Sequence, residues 1–237
     1  MTELRRLILW DVDGTLVRAG PASLGAFDAA VRAVVGRDPG QHGVQFSGKT
    51  DPQIALEILA AMALSDSEAA GHLPGVLRAL EDTLREALET IRETGRVLPG
   101  VEEVLGRLAG DPTVLQTVLS GNIEPNARVK LRAFGLDRWF DFESGGYGSD
   151  HHDRDRLVPI VLDKVAALHG FRPAGSNVWV VGDTPRDLAC AQAGGARCLL
   201  VATGWTPLEE LRDAGADAVL TDLSDTDAVV RILLDRG

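Results

Sequence analysis

Two short acidic stretches carry the strongest chemical signal in the chain. Asp11-Val12-Asp13-Gly14-Thr15-Leu16 follows an apolar run at 7–10, and Gly182-Asp183-Thr184-Pro185-Arg186-Asp187 follows another that ends at Val181. Extension from a strand holds Asp11 and Asp13 at its carboxyl end, Gly14 permits a tight departure, and Thr15 can tie the loop with its hydroxyl. Alone, the first stretch also describes an ordinary Asp-Gly turn. The second weakens that reading, because adjacent parallel strands can bring Asp11, Asp13, Asp183 and Asp187 together. Clustered carboxylates repel unless a cation neutralises them. Hard oxygen ligands, without a cysteine or close histidine set, favour Mg²⁺ over Zn²⁺. A small phosphorylated metabolite is the natural partner of that ion.

A third apolar run ends at Leu119-Ser120-Gly121-Asn122. Ser120 and the amides of Gly121 and Asn122 can donate to phosphate oxygens, helped by the dipole of the helix that follows. The same letters fit a plain strand-to-helix turn capped by Ser120 or Asn122.

Holding three loops side by side requires a parallel sheet. Apolar runs at 7–10, 114–119, 177–181 and 197–201 each lie beside a helix-length amphipathic segment, the rhythm of a sheet covered by helices. A weaker strand at 218–220 precedes a last helix at about 225–234. Residues 17–97 lack strand alternation and read as helices at 23–35, 52–62, 65–71 and 74–94. Asp51 can cap with Pro52 at the first helical position, and Ser65 with Glu68 forms a capping box. Pro99-Gly100 punctuates the chain before a helix at 101–108. The expected fold is therefore α/β, a three-layer Rossmann-like domain with a mainly parallel sheet formed by residues 1–16 and 98–237, with an all-helical cap inserted at 17–97. Periodicity also allows one larger helical layer. The polar, glycine-rich interval at 143–154 is expected at the carboxyl ends of the strands, where sites are built.

Composition narrows the possible functions. With 237 residues, 45% hydrophobic and 25% charged, the chain buries roughly 70 to 75% of its unfolded surface and needs no disulfide or structural metal. Disordered, collagen, coiled-coil and membrane classes do not fit. Thirty-five acidic residues against 24 basic give a net charge of −11, which argues against nucleic acid or an anionic lipid surface as a partner. Cys190 and Cys198 match no metal-binding spacing and fit a reducing compartment. The first residues run into only a short apolar stretch, so neither signal peptide nor membrane span is expected, and the cytoplasm is the expected location. Gly48-Lys49-Thr50 lacks the preceding glycine of a P-loop, which argues against a nucleotide triphosphatase. His151 and His152 supply no metal set by themselves and suit a substrate edge or solvent. Trp10, Trp139, Trp179 and Trp205 lack basic interleaving and suit packing.

In this order the three loops resemble those of the haloacid dehalogenase-like hydrolase superfamily, over nearly the whole chain, and within it the helical-cap phosphatases similar to phosphoglycolate phosphatase. The resemblance implies that Asp11 is the nucleophile that forms an aspartyl-phosphate. It implies that Asp13 is the general acid and base, with its main-chain carbonyl on the Mg²⁺. Asp183 is then the direct metal ligand, Asp187 a further carboxylate, and Ser120 the phosphate-binding hydroxyl. The family places a basic residue, usually lysine before proline, ahead of the helix leading to the second acidic loop. This chain offers Asp153-Arg154-Asp155-Arg156-Leu157-Val158-Pro159 instead. Arg154 is the choice by analogy with a subgroup sharing Leu-[Thr/Ser]-Gly-Asn; Arg156 is a rival, and Lys130 can contribute from another helix. The insert is similar to the superfamily's helical cap, and Phe46-Ser47-Gly48-Lys49-Thr50-Asp51-Pro52 to its specificity loop, which implies that Lys49 and Thr50 reach substrate. The implied activity is Mg²⁺-dependent phosphomonoester hydrolysis. A sugar-phosphate mutase of the β-phosphoglucomutase type and a non-catalytic phosphate-binding protein are the alternatives. Asp13 argues against the halide-removing branch, and phosphonate cleavage would have only Lys49 for an imine.

Overall fold

The computed structural model describes residues 4–235. The strands are β1 (Arg6–Trp10), β2 (Val17–Arg18), β3 (Arg96–Val97), β4 (Val114–Ser120), β5 (Gly146–Tyr147), β6 (Val178–Gly182), β7 (Arg197–Val201) and β8 (Ala218–Leu220). Six of them form one parallel sheet in the order β5-β4-β1-β6-β7-β8. β1 lies between β4 and β6, so the three loops singled out above are neighbours at the carboxyl edge. Strand order reverses at β1, which opens a crevice there.

Period-two alternation explains the three layers. Ile8, Trp10, Val118 and Val181 face one side, against Val104 of α5 (Val101–Ala109), Leu131 of α6 (Glu124–Ala133) and Leu233 of α10 (Thr226–Leu234). Leu7, Leu9, Leu119 and Val180 face the other, against Val161 of α7 (Leu157–His169), Leu188 of α8 (Pro185–Ala193) and Leu211 of α9 (Leu208–Asp213). Because both faces are covered, these strands read as continuous apolar runs.

The stretch between the first two core strands holds α1 (Gly20–Val35), α2 (Asp51–Ala61), α3 (Asp66–Glu86) and α4 (Leu88–Thr94). They share a separate apolar cluster built on Phe27, Val31, Ile58, Leu80, Leu84 and Ile91. Ala133 of α6 joins this cluster, so α6 supports both sides. The capping box at the start of α3 is present: Ser65 N donates to Glu68 Oε2 at 2.8 Å and Glu68 N to Ser65 Oγ at 3.4 Å.

Three details differ from the sequence reading. α3 runs through Pro74 without a break at 71–74. Proline removes one helical donor, but the carbonyl it frees belongs to exposed Ala70 and can be hydrated. Second, β2 and β3 pair antiparallel, Val17 with Val97 and Arg18 with Arg96, so the two crossings between sheet and helices form one ribbon. Third, Thr50, not Asp51, is the N-cap of α2.

Candidate active site

The floor of the site is the carboxyl edge of β4, β1 and β6. Asp11 N donates to Val181 O at 2.9 Å, extending the sheet pairing one residue past β1 and fixing the direction of the side chain. That carboxylate is only 5% exposed. Gly14 then takes a φ of +93°, and a Cβ there would lie 2.5 Å from Asp183 Oδ2. A Cβ on Gly204 would also strike that carboxylate. Asp183 thus sits in a cradle formed by two glycines, and Thr15 Oγ1 donates to its Oδ1 at 3.3 Å.

Arg154 reaches this floor from a short 3₁₀ turn before α7. Its Nη2 donates to Asp11 Oδ1 at 2.8 Å and also to Asp187 Oδ1. Cys190 Sγ holds the Arg154 carbonyl at 3.0 Å. The guanidinium Nε is buried and has no partner among the described residues. Arg156 is exposed and makes no contact with Asp11. Asp187 is occupied on both oxygens: Oδ1 by Arg154, and Oδ2 by Thr184 N at 3.0 Å and Thr184 Oγ1 at 2.7 Å, as the capping box of α8. It therefore positions Arg154 and the loop, and its oxygens are less free for an ion than those of Asp11 and Asp183.

Asp13 points to the other side of the floor. Its Oδ2 accepts from Lys130 Nζ at 2.5 Å and from Asn122 Nδ2 at 2.8 Å, and Lys130 also donates to Asn122 Oδ1 at 2.7 Å. Asn122 ties back to Ser120 Oγ through Nδ2 at 2.8 Å and through its own N–H at 3.3 Å. The motif residues Ser120 and Asn122, with Lys130 one helix further on, form one network around Asp13. Two basic side chains, Arg154 and Lys130, thus serve the two aspartates separately.

Burial dominates the electrostatics. Loss of water pushes the Asp11 carboxyl up to about 7; Arg154 pulls it down and Asp187 pushes it up again. Asp183 is also raised well above the ordinary carboxylate range, by burial first and then by Asp11 and Asp187. Burial alone would depress Arg154, yet Asp187 and Asp11 hold it firmly charged. Three buried carboxylates face one buried guanidinium, a deficit of positive charge that a divalent cation would meet. The carboxylates of Asp11 and Asp183 that line this floor are hard oxygens, the donor type that Mg²⁺ takes. Among the described residues no three acidic, histidine or cysteine side chains form a cage of their own.

The helical insert meets this floor directly. Asp51 N donates to Gly121 O at 2.7 Å, and the Asp51 carboxylate accepts from Ile123 N at 2.8 Å and Asn126 Nδ2 at 2.9 Å. Lys49 lines the cavity, but its ammonium is paired with Glu57. Thr50, expected to reach substrate, faces away: its hydroxyl donates to His152 O at 2.7 Å and caps α2 through Gln53 N. Its one hydroxyl proton is therefore spent on His152, and Thr50 is not among the residues that line the cavity. His151 and His152 stack on each other, 4.7 Å between ring centroids, and neither ring lines the cavity. Trp10 and Trp179 are fully buried, as expected of packing residues, whereas Trp205 is 78% exposed at the mouth of the cavity.

The sequence profile of the haloacid dehalogenase-like hydrolases matches residues 8–192. The chain belongs to that family. Relatives that this hydrolase resembles include a phosphoglycolate phosphatase of Vibrio vulnificus, 27% identical and covering 96% of each chain. Another is the probable phosphatase IndB of Dickeya dadantii, 24% identical over 98% of this chain and 96% of its own. The crystal structure of a predicted phosphoglycolate phosphatase from Haemophilus somnus superposes with a TM-score of 0.70 at 19% identity, covering 97% of this hydrolase and 99% of that chain. No helix among the described residues is long and apolar enough to cross a membrane.

Proposed function

We propose that this hydrolase is a Mg²⁺-dependent phosphatase that cleaves a small-molecule phosphomonoester through an aspartyl-phosphate on Asp11, acting in the cytoplasm. One observation carries the reading. The Asp11 carboxylate lies on the cavity floor, held by the Nη2 of Arg154, which lines the same cavity. A guanidinium fixed beside a carboxylate nucleophile on a cavity floor is suited to a phosphoryl oxygen.

Asp11 attacks phosphorus, and the bond from phosphorus to the ester oxygen breaks as Asp13 gives that oxygen a proton. Asp13 then takes a proton from water, the water oxygen attacks the phosphorus, and the bond to Asp11 breaks to release inorganic phosphate. Arg154, the Ser120 hydroxyl and the amide of Gly121 orient the phosphoryl group, with Asn122 holding Ser120 in place. When bound, Mg²⁺ supplies the charge neutralisation that lets an anionic carboxylate approach an anionic phosphate. Residues 17–97 act as the cap over a core of 1–16 and 98–237, hinged at the β2–β3 ribbon, and exclude water from the floor. Their separate apolar cluster supports that division.

The test is phosphate release from a broad panel of phosphomonoesters, with Mg²⁺ and with chelator. Metal-dependent release that vanishes in Asp11→Asn is the expected result. Phosphate retained on an interconverted sugar, or binding without turnover, overturns the reading.

A further inference from the structure

We infer that the alcohol released by this enzyme is an apolar ring rather than a carboxylate-bearing group such as glycolate. The inference rests on the phosphomonoesterase reading for the phosphate end and concerns what lies opposite it.

The cavity measures about 350 Å³ and runs without a break from Asp11, Asp13 and Ser120 to the helical insert. Glycolate would leave most of that space empty. On the insert side the wall is apolar: Leu24 and Phe27 from α1, Phe46 from the loop before α2, and Ile54 from α2. Phe27 and Phe46 pack with ring centroids 5.1 Å apart and planes tilted by 55°. Trp205 lines the same cavity from the loop after β7. Among the described residues the large hydrophobic side chains left exposed are Leu24, Leu168 and Trp205, at 60%, 56% and 78%. Two of these three line this cavity, one from the insert and one from the core. Large apolar groups left exposed on the lining of one pocket are what an apolar ligand would cover.

Three of the cations that line the cavity are already matched by carboxylates. Lys49 is paired with Glu57, Lys130 with Asp13, and Arg154 with Asp11 and Asp187. The guanidinium of Arg18 donates to the carbonyls of Thr203 at 2.7 Å and Gly204 at 3.2 Å, and lies 5.0 Å from the Trp205 ring centre. Arg96 is exposed in the ribbon, where its charge is already solvated. A carboxylate entering this wall would lose its water, and among the described cations lining the cavity Arg18 and Arg96 alone have no carboxylate partner to give up for it. An aromatic ring would instead gain Trp205, Phe46 and Leu24 as contacts.

Benzyl phosphate, ethyl phosphate and phosphoglycolate are all unactivated primary alkyl esters, so kcat/KM compares their leaving groups through the pocket. Benzyl phosphate is expected to exceed each of the others by about 100-fold. Trp205→Ala and Leu24→Ser each lower the benzyl-to-ethyl ratio about tenfold, whereas a merely structural loss would lower both substrates and leave the ratio alone. Calorimetric binding of benzylphosphonate, ethylphosphonate and phosphonoacetate reads the same subsite without turnover. Phosphoglycolate or phosphonoacetate preferred over the benzyl compound, or a benzyl-to-ethyl ratio unmoved in both variants, overturns the inference and leaves the phosphatase standing. No turnover of any ester, with benzyl-selective binding, removes the phosphatase and keeps the apolar subsite.

Discussion

The floor and the roof of the cavity are built by different physics. On the floor, five buried charged groups, Asp11, Asp183, Asp187, Arg154 and Lys130, are each held by hydrogen bonds whose partners lie within a few residues of a strand end. On the roof, position comes from packing: α1 lies on α3, and the apolar cluster of Phe27, Ile58 and Leu80 has no charged member. Charge networks fail when one partner is removed, because the survivor is left buried and unpaired. Apolar walls lose function in proportion to the surface removed. Substitutions on the floor should therefore act on rate, and substitutions on the roof on the choice of substrate.

The contrast can be broken in order of expected effect. Asp11→Asn removes the attacking oxygen while keeping the shape, so phosphate release should fall by at least about 10⁴-fold with an unchanged circular dichroism spectrum. Ordinary turnover in that variant would remove Asp11 from the chemistry. Arg154→Ala should lower kcat/KM by about 10² to 10³-fold, and Arg156→Ala by less than about threefold. It should also lower stability by about 3 kcal/mol in urea titrations, since Asp11 and Asp187 lose their shared partner. Equal effects of the two arginine variants would falsify the placement of Arg154.

Asp51 tests the seam between the two regions. Burial raises its carboxyl to about 6, against the pull of Lys130 and of the hydrogen bonds from Ile123 and Asn126. A carboxyl raised in the folded state costs no stability below about pH 4, where it is protonated both folded and unfolded. Stability is then lost as pH rises through about 6, because only the unfolded chain ionises it freely. Asp51→Asn, whose amide oxygen can accept the same two hydrogen bonds, should gain on wild type by roughly 3 kcal/mol between about pH 4 and pH 8. A constant difference across that range would show that Asp51 is not desolvated in solution. The smallest effect belongs to the roof alone: Ser65→Ala should cost about 1 kcal/mol by removing the cap of α3, and leave phosphate release unchanged.

Much of the floor was legible because its signals are local. The runs at 7–10 and 197–201 stand out since a strand covered on both faces is apolar along nearly its whole length, whereas the half-buried edge strand at 218–220 reads more weakly. Asp11, Asp13 and Asp183 announce themselves by following such strands. The two-residue strands β2, β3 and β5 are too short to show any period, so the ribbon that joins both crossings was not visible. Lys130 lies on a helix 117 residues from Asp13, and only the packing of α6 under β1 brings them together. Pro74 looked like a break because a sequence shows the missing donor and not the exposed carbonyl beside it. Trp205 shows a related gap, since residue type says nothing of whether a ring is covered.

The contact between Gly121 and the loop before α2 has one more consequence. A Cβ at Gly121 would run into the carbonyl of Lys49, while Asp51 spans from α2 to the first turn of α6. The loop proposed to receive phosphate is therefore the same loop on which the insert rests. The two parts are not interchangeable modules. A chimera carrying a foreign cap would have to bring its own acceptor for the Ile123 amide and its own close backbone at Gly121, or its phosphate loop would lose its shape.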